Sequence, residues 1–105
     1  MQNINDNSAL VAHLIMEVKN FENSLDSEHK ASLRFISSNG IPIEANSVAY
    51  RHPDLICFYG LDANGDRAAI FQHITQTNFL LVARKVVSPG SKRTIGFHLD
   101  NTSGS

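Results

Sequence analysis

The stretch from residue 31 to residue 59 reads ASLRFISSNGIPIEANSVAYRHPDLICFY and has the two-residue period of β-strands. Leu33 and Phe35 alternate with polar neighbours. Asn39-Gly40 follows and is a strong two-residue hairpin signal, because both turn positions favour a positive φ. The alternation then resumes over residues 41–50. The pattern therefore predicts two antiparallel strands joined by a tight turn.

Further strands are predicted on the C-terminal side of this pair. Pro53 interrupts the alternation, because proline has no backbone donor for a strand ladder. Residues 55–59, LICFY, form a short apolar run of β-forming residues, which is typical of a strand buried on both faces. The remaining expected strands are residues 68–74, 79–82 and 94–99, with turns at residues 62–66 and at Pro89-Gly90.

An amphipathic helix is predicted before the strands, over about residues 6–27. Its apolar stripe consists of Leu10, Leu14, Val18, Phe21 and Leu25. These residues recur at spacings of four, four, three and four, which places them on one helical face. Polar residues 5–8 offer side-chain oxygens that can cap the first turn. Because a lone helix of this length is marginal in water, the strands are expected to cover its apolar face.

The predicted elements indicate an α+β protein that is mainly β, with one N-terminal helix followed by about six antiparallel strands. The chain of 105 residues is expected to form a single domain over residues 1–100, with a flexible tail over residues 101–105. Strands 55–59 and 79–82 are wholly apolar and need cover on their second face. Closure into a small barrel and oligomerisation through an edge strand would each supply that cover, and both are expected.

The formal net charge of −1 excludes a strongly basic protein that binds DNA through its bulk charge. Residues 1–50 hold three basic and six acidic side chains, whereas residues 51–105 hold six basic and four acidic ones. A basic cluster stands out in the second half and consists of Arg84, Lys85, Lys92 and Arg93. This cluster is a candidate phosphate-binding surface, and the alternative is a solvated hairpin that carries the same charges.

The sequence is expected to belong to a soluble cytoplasmic protein. No apolar run approaches the roughly 18 residues that a membrane span needs. Residues 1–8 lack the basic and apolar regions of a secretion signal. The single cysteine, Cys57, excludes an intrachain disulfide and suits a reducing compartment.

Motifs for catalysis and metal binding are missing from the sequence. The five histidines form no i, i+4 pair and no HExxH or HxH motif, and one thiol cannot form a CxxC site. Cys57 lies in an apolar run and is expected to be a core residue rather than a reactive thiolate. Residues 62–66, DANGD, lack the terminal glutamate of a calcium loop and suit a hairpin. The sequence therefore favours a non-enzymatic protein without a metal or cofactor.

The order of these features is similar to that of a known superfamily. The helix leads into strand 33–36, the turn at Asn39-Gly40, a strand toward Tyr50, an apolar strand, the segment 70–75 (IFQHIT) and the apolar strand 79–82. This order, over about 50 residues, resembles the Sm-like superfamily, and within it the bacterial RNA chaperones of the Hfq type. The last part also resembles small uncharacterised proteins of bacteria and phages, a resemblance that brings no activity with it.

The resemblance implies a small, strongly bent Sm-like (SH3-like) barrel, a ring formed by pairing of edge strands, and single-stranded RNA bound around the pore. His73 would occupy the pore-facing histidine position, and Tyr50 would be the aromatic residue on which a base stacks. Three departures from the family pattern are present. Gln72 replaces the usual basic residue, Ala45 replaces a glycine of the second strand, and Arg51-His52-Pro53 lengthens the following loop.

A second hypothesis keeps the oligomeric scaffold and replaces RNA by a small nucleotide or a protein partner, as in a phage or bacterial regulatory or counter-defence module. Arg51, His52 and Arg84 would then bind phosphate, since arginine offers a bidentate fork. A third hypothesis is a plain structural subunit whose histidines are inert. The candidate ligand-binding residues are Tyr50, Arg51, His52, Gln72, His73, Arg84, Lys85, Lys92 and Arg93.

Overall fold

The structure is a computed structural model that describes residues 7–36, 39–87 and 93–100. Its elements are α1 (Ser8–Asn23), β1 (His29–Ile36), β2 (Pro42–Arg51), β3 (Leu55–Asp62), β4 (Arg67–His73), a 3₁₀ turn (Ile74–Gln76), β5 (Leu80–Lys85) and β6 (Gly96–Asp100). The predicted order of one N-terminal helix followed by six strands is confirmed. Lys92, the turn at Pro89-Gly90 and the tail 101–105 lie outside the described residues.

The helix is shorter than the expected span of residues 6–27. It ends at Asn23, and the side chain of the C-cap residue Ser24 donates a 2.7 Å hydrogen bond back to the Phe21 carbonyl oxygen. At the other end, the Asn7 side chain makes no capping hydrogen bond and donates instead to the Pro53 carbonyl oxygen at 3.1 Å. The start of the helix is thereby connected to the turn between β2 and β3. Two further cap candidates, residues 5 and 6, lie outside the described part of the chain.

The sheet follows the order β4-β3-β2-β1-β5, and every neighbouring pair along this path is antiparallel. The strand β6 is the exception to the expected antiparallel arrangement, because it pairs with β2 in parallel. Since β5 is antiparallel to β1, it runs in the same sense as β2 and β6. The strands β5 and β6 are therefore not the two arms of a hairpin, contrary to the turn predicted between them.

A bulge divides β2 into two halves with different neighbours. The register shifts between Ala45 and Ser47, and the half before the shift pairs with β1 while the half after it pairs with β6. Gly60 lies opposite Ala45 at this point. A Cβ atom on Gly60 would overlap the Glu44 carbonyl oxygen and lie 2.5 Å from the Ala45 Cα. Gly60 of β3 thus permits a close approach of the two backbones at the bulge.

The first hairpin has a longer loop than the predicted two residues. Ile36 pairs with Pro42, which leaves five residues in the connection. Gly40 has a φ of 81°, so the positive φ expected in this turn is present at that residue. The ladder ends at Pro42, which has no N–H to donate.

The core lies between α1 and one face of the sheet. Phe35, Phe58 and Phe79 form its centre, with ring centroids 4.6–5.6 Å apart, and Val11 and Val18 of the helix belong to the same buried cluster. The prediction that strand 55–59 is buried on both faces holds for residues 56–58 but not for Leu55, which is exposed.

The apolar strand expected at residues 79–82 is also only partly buried. Leu80 is exposed, whereas Phe79 and Leu81 pack against the core. In the described ranges, no helix is long and apolar enough to cross a membrane.

Candidate functional site

A groove of about 440 Å³ lies over β1, β2 and β5 and is the best candidate for a binding site. Leu33 and Phe35 of β1 point into the core, so the alternating residues Ser32 and Arg34 belong to the other face of the sheet. Arg34 is paired in register with Glu44 on β2. The lining of the groove includes Lys30, Ser32, Arg34, Glu44, Leu61, Asp62, Arg84 and Arg93.

Glu44 is the acidic centre of this groove. Its carboxylate accepts a 2.9 Å hydrogen bond from the Ser32 hydroxyl and forms an ion pair with the Arg84 guanidinium. Burial alone would raise the pKa of Glu44. The hydrogen bonds from Arg84 and Ser32, together with the positive charges of Arg84 and Arg34, outweigh burial and lower this pKa below its usual value of 4.5. Glu44 is therefore a carboxylate at neutral pH.

Among the described residues that line the groove, positive charge exceeds negative charge, with four cationic side chains and two acidic ones. Both acidic side chains already have partners. The Asp62 carboxylate accepts hydrogen bonds from the backbone N–H groups of Asn64 and Asp66 at 2.9 and 3.0 Å, which closes the turn between β3 and β4. The Nε atoms of Arg34 and Arg84 are buried and have no hydrogen-bond partner among the described residues. The excess of positive charge favours an anionic ligand in this groove.

Tyr50 does not have the free ring that base stacking requires, so this prediction from the resemblance is wrong for the structure described here. The residue is 5% exposed and belongs to the core cluster. Its hydroxyl donates a 2.7 Å hydrogen bond to the Pro53 carbonyl oxygen, and the His52 ring meets its ring edge at a centroid distance of 6.3 Å. Tyr50 therefore stabilises the turn after β2.

His73 is half-exposed at the end of β4 and shapes the 3₁₀ turn that follows. Its Nδ1 accepts a 3.2 Å hydrogen bond from the Thr75 backbone N–H, and its Nε2 lies 3.5 Å from an Asp54 carboxylate oxygen. Gln72, its neighbour, pairs in register with Ile56 of the core, and its buried Oε1 has no hydrogen-bond partner in the described part of the chain. Gln72 thus does not present its amide oxygen to solvent.

The predicted binding residues fall into two separate regions. Arg84 and Arg93 line the groove, whereas Lys85 is exposed next to Arg84 and pairs in register with His29. Arg51 lies seven residues beyond Glu44 on β2, a path of roughly 23 Å at the usual rise per residue. The structure therefore does not bring Arg84 together with Arg51 and the neighbouring His52 as one phosphate site.

Sequence reasoning missed Lys30, Ser32, Arg34 and Glu44, which complete the groove. A signal for Arg34 and Glu44 was present, because both are charged residues at alternating positions in the two strands of one hairpin. Such positions lie side by side on the face opposite the core. In the part of the chain that the structure describes, no group of three or more His, Cys, Asp or Glu residues is arranged to hold a metal ion.

Comparison with known proteins assigns a family without an activity. No curated protein and no solved structure matches the chain significantly. One family model matches residues 2–98, which is nearly the whole sequence. The chain therefore belongs to the family of unknown function DUF6173.

Proposed function

We propose that this chain is a non-enzymatic binding protein of the Sm-like kind, which self-associates through its edge strands and binds single-stranded RNA. The observation that carries the proposal is the sheet path β4-β3-β2-β1-β5, which has β4 and β5 at its two ends. Each of these strands exposes a large apolar side chain, since Phe71 and Leu80 are both 60% exposed. Among the described residues these two strands lie at the ends of the path, and an edge strand offers backbone donors and acceptors to a second copy of the chain.

The charges of the described residues support an RNA ligand. A ring of subunits would repeat the cationic groove, so that a nearly neutral chain presents a local basic patch many times. The ends of β2 and β4 add Arg51 and the half-exposed His73. Because Tyr50 is buried, we expect RNA to be held through its phosphates rather than by stacking on that ring.

Self-association is tested by size-exclusion chromatography with light scattering on the full chain. We expect a mass of several subunits, and we expect Phe71→Lys and Leu80→Lys to reduce it, because a charge at an edge strand opposes strand pairing. Met16→Lys is the matched control, since Met16 is an exposed apolar residue on α1. A wild-type chain that is monomeric throughout the concentration series would contradict the proposal.

RNA binding is tested by titrating labelled oligo(A) and oligo(U) with the protein at two salt concentrations. Phosphate contacts release counterions, so we expect affinity to fall as salt rises. Absence of binding at the lower salt concentration, or binding without a salt dependence, would contradict the RNA ligand.

A small nucleotide is the second candidate ligand, and the groove favours it. Its volume of about 440 Å³ lies within the usual range of small-molecule sites. A thermal-shift panel of mononucleotides, dinucleotides and cyclic nucleotides tests this candidate, because a ligand that binds the folded state raises Tm.

A cytoplasmic location is part of the proposal and is supported by Cys57, a free and buried thiol.

A further inference from the structure

We propose that the groove is a phosphate-binding site in which the guanidinium groups of Arg34 and Arg84 hold one phosphate group of a nucleotide-sized ligand. The inference deepens the proposed binding function by naming the site and the chemistry that it recognises. It does not depend on self-association, because the groove is formed within one chain.

The partly exposed guanidinium groups of Arg34 and Arg84 are the first argument. Both side chains line the groove, and their Nε atoms are buried, with no hydrogen-bond partner among the described residues. Because protein atoms cover both Nε–H groups, a ligand in the groove meets the remaining guanidinium nitrogens of these two partly exposed side chains. A phosphate offers several anionic oxygens, and arginine binds them in a bidentate manner. A phosphate in the groove would be held through these outer nitrogens rather than through Nε.

The placement of the remaining charges is the second argument. Glu44 fixes Arg84 through an ion pair and Ser32 through a hydrogen bond, so the guanidinium of Arg84 is positioned before any ligand arrives. Lys30 and Arg93 add two further cations to the lining. This excess of positive charge repels a cationic ligand and attracts a phosphate.

The size and the mixed lining of the groove determine the ligand class. Leu61 and Pro42 line it together with the charged side chains, which provides apolar contact for the uncharged part of a ligand. A volume of about 440 Å³ accommodates a ligand of nucleotide size. The same phosphate chemistry is offered by a free nucleotide and by one nucleotide of a single-stranded RNA, and the two sources are separated by experiment.

The test is isothermal titration calorimetry of the full chain with AMP, with pyrophosphate and with an oligo(A). The oligo(A) has about 12 nucleotides, a length within the range of single-strand binding sites. We expect saturable binding, weakened about tenfold by Arg34→Gln and by Arg84→Gln, because each removes a charge-assisted contact. Arg67→Gln is the matched control, since Arg67 is an exposed arginine on β4 that does not line the groove. Arg93→Gln serves as a second variant at an exposed position, should the two strand variants not fold.

Each outcome has a defined meaning. Binding of AMP or pyrophosphate that is lost in the groove variants supports the site with a free ligand, and binding of oligo(A) alone with the same losses supports it with an RNA phosphate. Lack of binding by all three probes, or equal weakening by Arg67→Gln and the groove variants, overturns it. A monomeric chain that binds AMP in the groove would refute the proposed RNA-binding ring and leave this inference standing.

Discussion

The Glu22 side chain accepts a 2.7 Å hydrogen bond from the backbone N–H of Ile95, which lies 73 residues further along the chain. Both residues are buried, Glu22 on the inner side of α1 and Ile95 just before β6. Lys19 lies one helical turn before Glu22, with its Nζ 3.9 Å from the other carboxylate oxygen. The hydrogen bond between Glu22 and Ile95 connects the N-terminal helix to the segment before β6, which also lines the groove.

Removal of the Glu22 carboxylate should therefore destabilise the fold. Glu22→Ala leaves the N–H of Ile95 without a protein acceptor, and we expect the free energy of unfolding to fall by about 2 kcal/mol. Glu22→Gln keeps an acceptor oxygen, so its free energy of unfolding should fall by less. Urea unfolding followed by circular dichroism measures the effect, with Glu17→Ala on the exposed side of α1 as control. Equal stability of Glu22→Ala and Glu17→Ala would show that the contact does not contribute.

The Glu44 carboxylate makes the stability depend on pH in the acidic range. Because its pKa is lowered in the folded state, its ionisation stabilises the fold above its usual pKa of 4.5. This contribution is lost as the pH falls from 4.5 through the lower folded-state value, where the folded protein also takes up the proton.

Comparison with Glu44→Gln isolates this contribution from the other carboxylates. At neutral pH we expect the wild-type chain to be more stable than Glu44→Gln, because the variant loses the ion pair with Arg84. Urea unfolding midpoints across the acidic range should show the gap between the two proteins narrowing as the pH falls below 4.5. A gap that is independent of pH would contradict the role assigned to the carboxylate.

Gly60 and Gly96 provide a matched pair for testing the close approach of β3 to the bulge of β2. A Cβ on Gly60 would meet the backbone of Glu44 and Ala45, whereas a Cβ on Gly96 would meet only the end of the His98 side chain at 3.5 Å. Gly60→Ala should therefore lower the free energy of unfolding by about 3 kcal/mol or more, because strand backbones must separate. Gly96→Ala should change it by less than about 1 kcal/mol. Thermal and urea unfolding measure both, and similar values for the two variants would refute the close approach.

The elements of the fold could be predicted from local signals, and their pairing could not. The stripe from Leu10 to Leu25 and the alternation at Leu33 and Phe35 indicate a helix and strands, because each pattern depends on residues close in sequence. The partner of β6 depends instead on the bulge between Ala45 and Ser47, which frees the second half of β2 for a new neighbour. No local pattern in residues 94–99 specifies a parallel pairing.

The residues of the candidate site were likewise predictable only where the signal lies in residues close together in the sequence. Arg84 and Arg93 were visible as a basic cluster, because clustering along the sequence is sufficient to detect them. Arg34 and Glu44 join them only through the register of β1 with β2 and β5. Tyr50 was assigned to base stacking by resemblance, yet its position on the core face of β2 buries it. Side chains alternate between the two faces of β2, and the bulge shifts this alternation, so that Tyr50 lies on the core face whatever its residue type would suggest.

The Pro53 carbonyl oxygen accepts hydrogen bonds from two side chains, at 2.7 Å from the Tyr50 hydroxyl and 3.1 Å from the Asn7 amide. Tyr50 is buried and Asn7 is bonded at an exposed position. Water can replace an exposed donor more easily than a buried one, so the two contacts should differ in their contribution to stability.

We therefore expect Tyr50→Phe to lower the free energy of unfolding by about 1 kcal/mol. Asn7→Ala should cost less than about 0.5 kcal/mol, because the side chain at this N-cap position makes no capping hydrogen bond whose loss would add to the effect. Urea unfolding of both variants and of the double variant measures the two contributions. If Asn7→Ala were the more destabilising variant, Asn7 would have to cap α1 in solution, and the contact with Pro53 would not persist there.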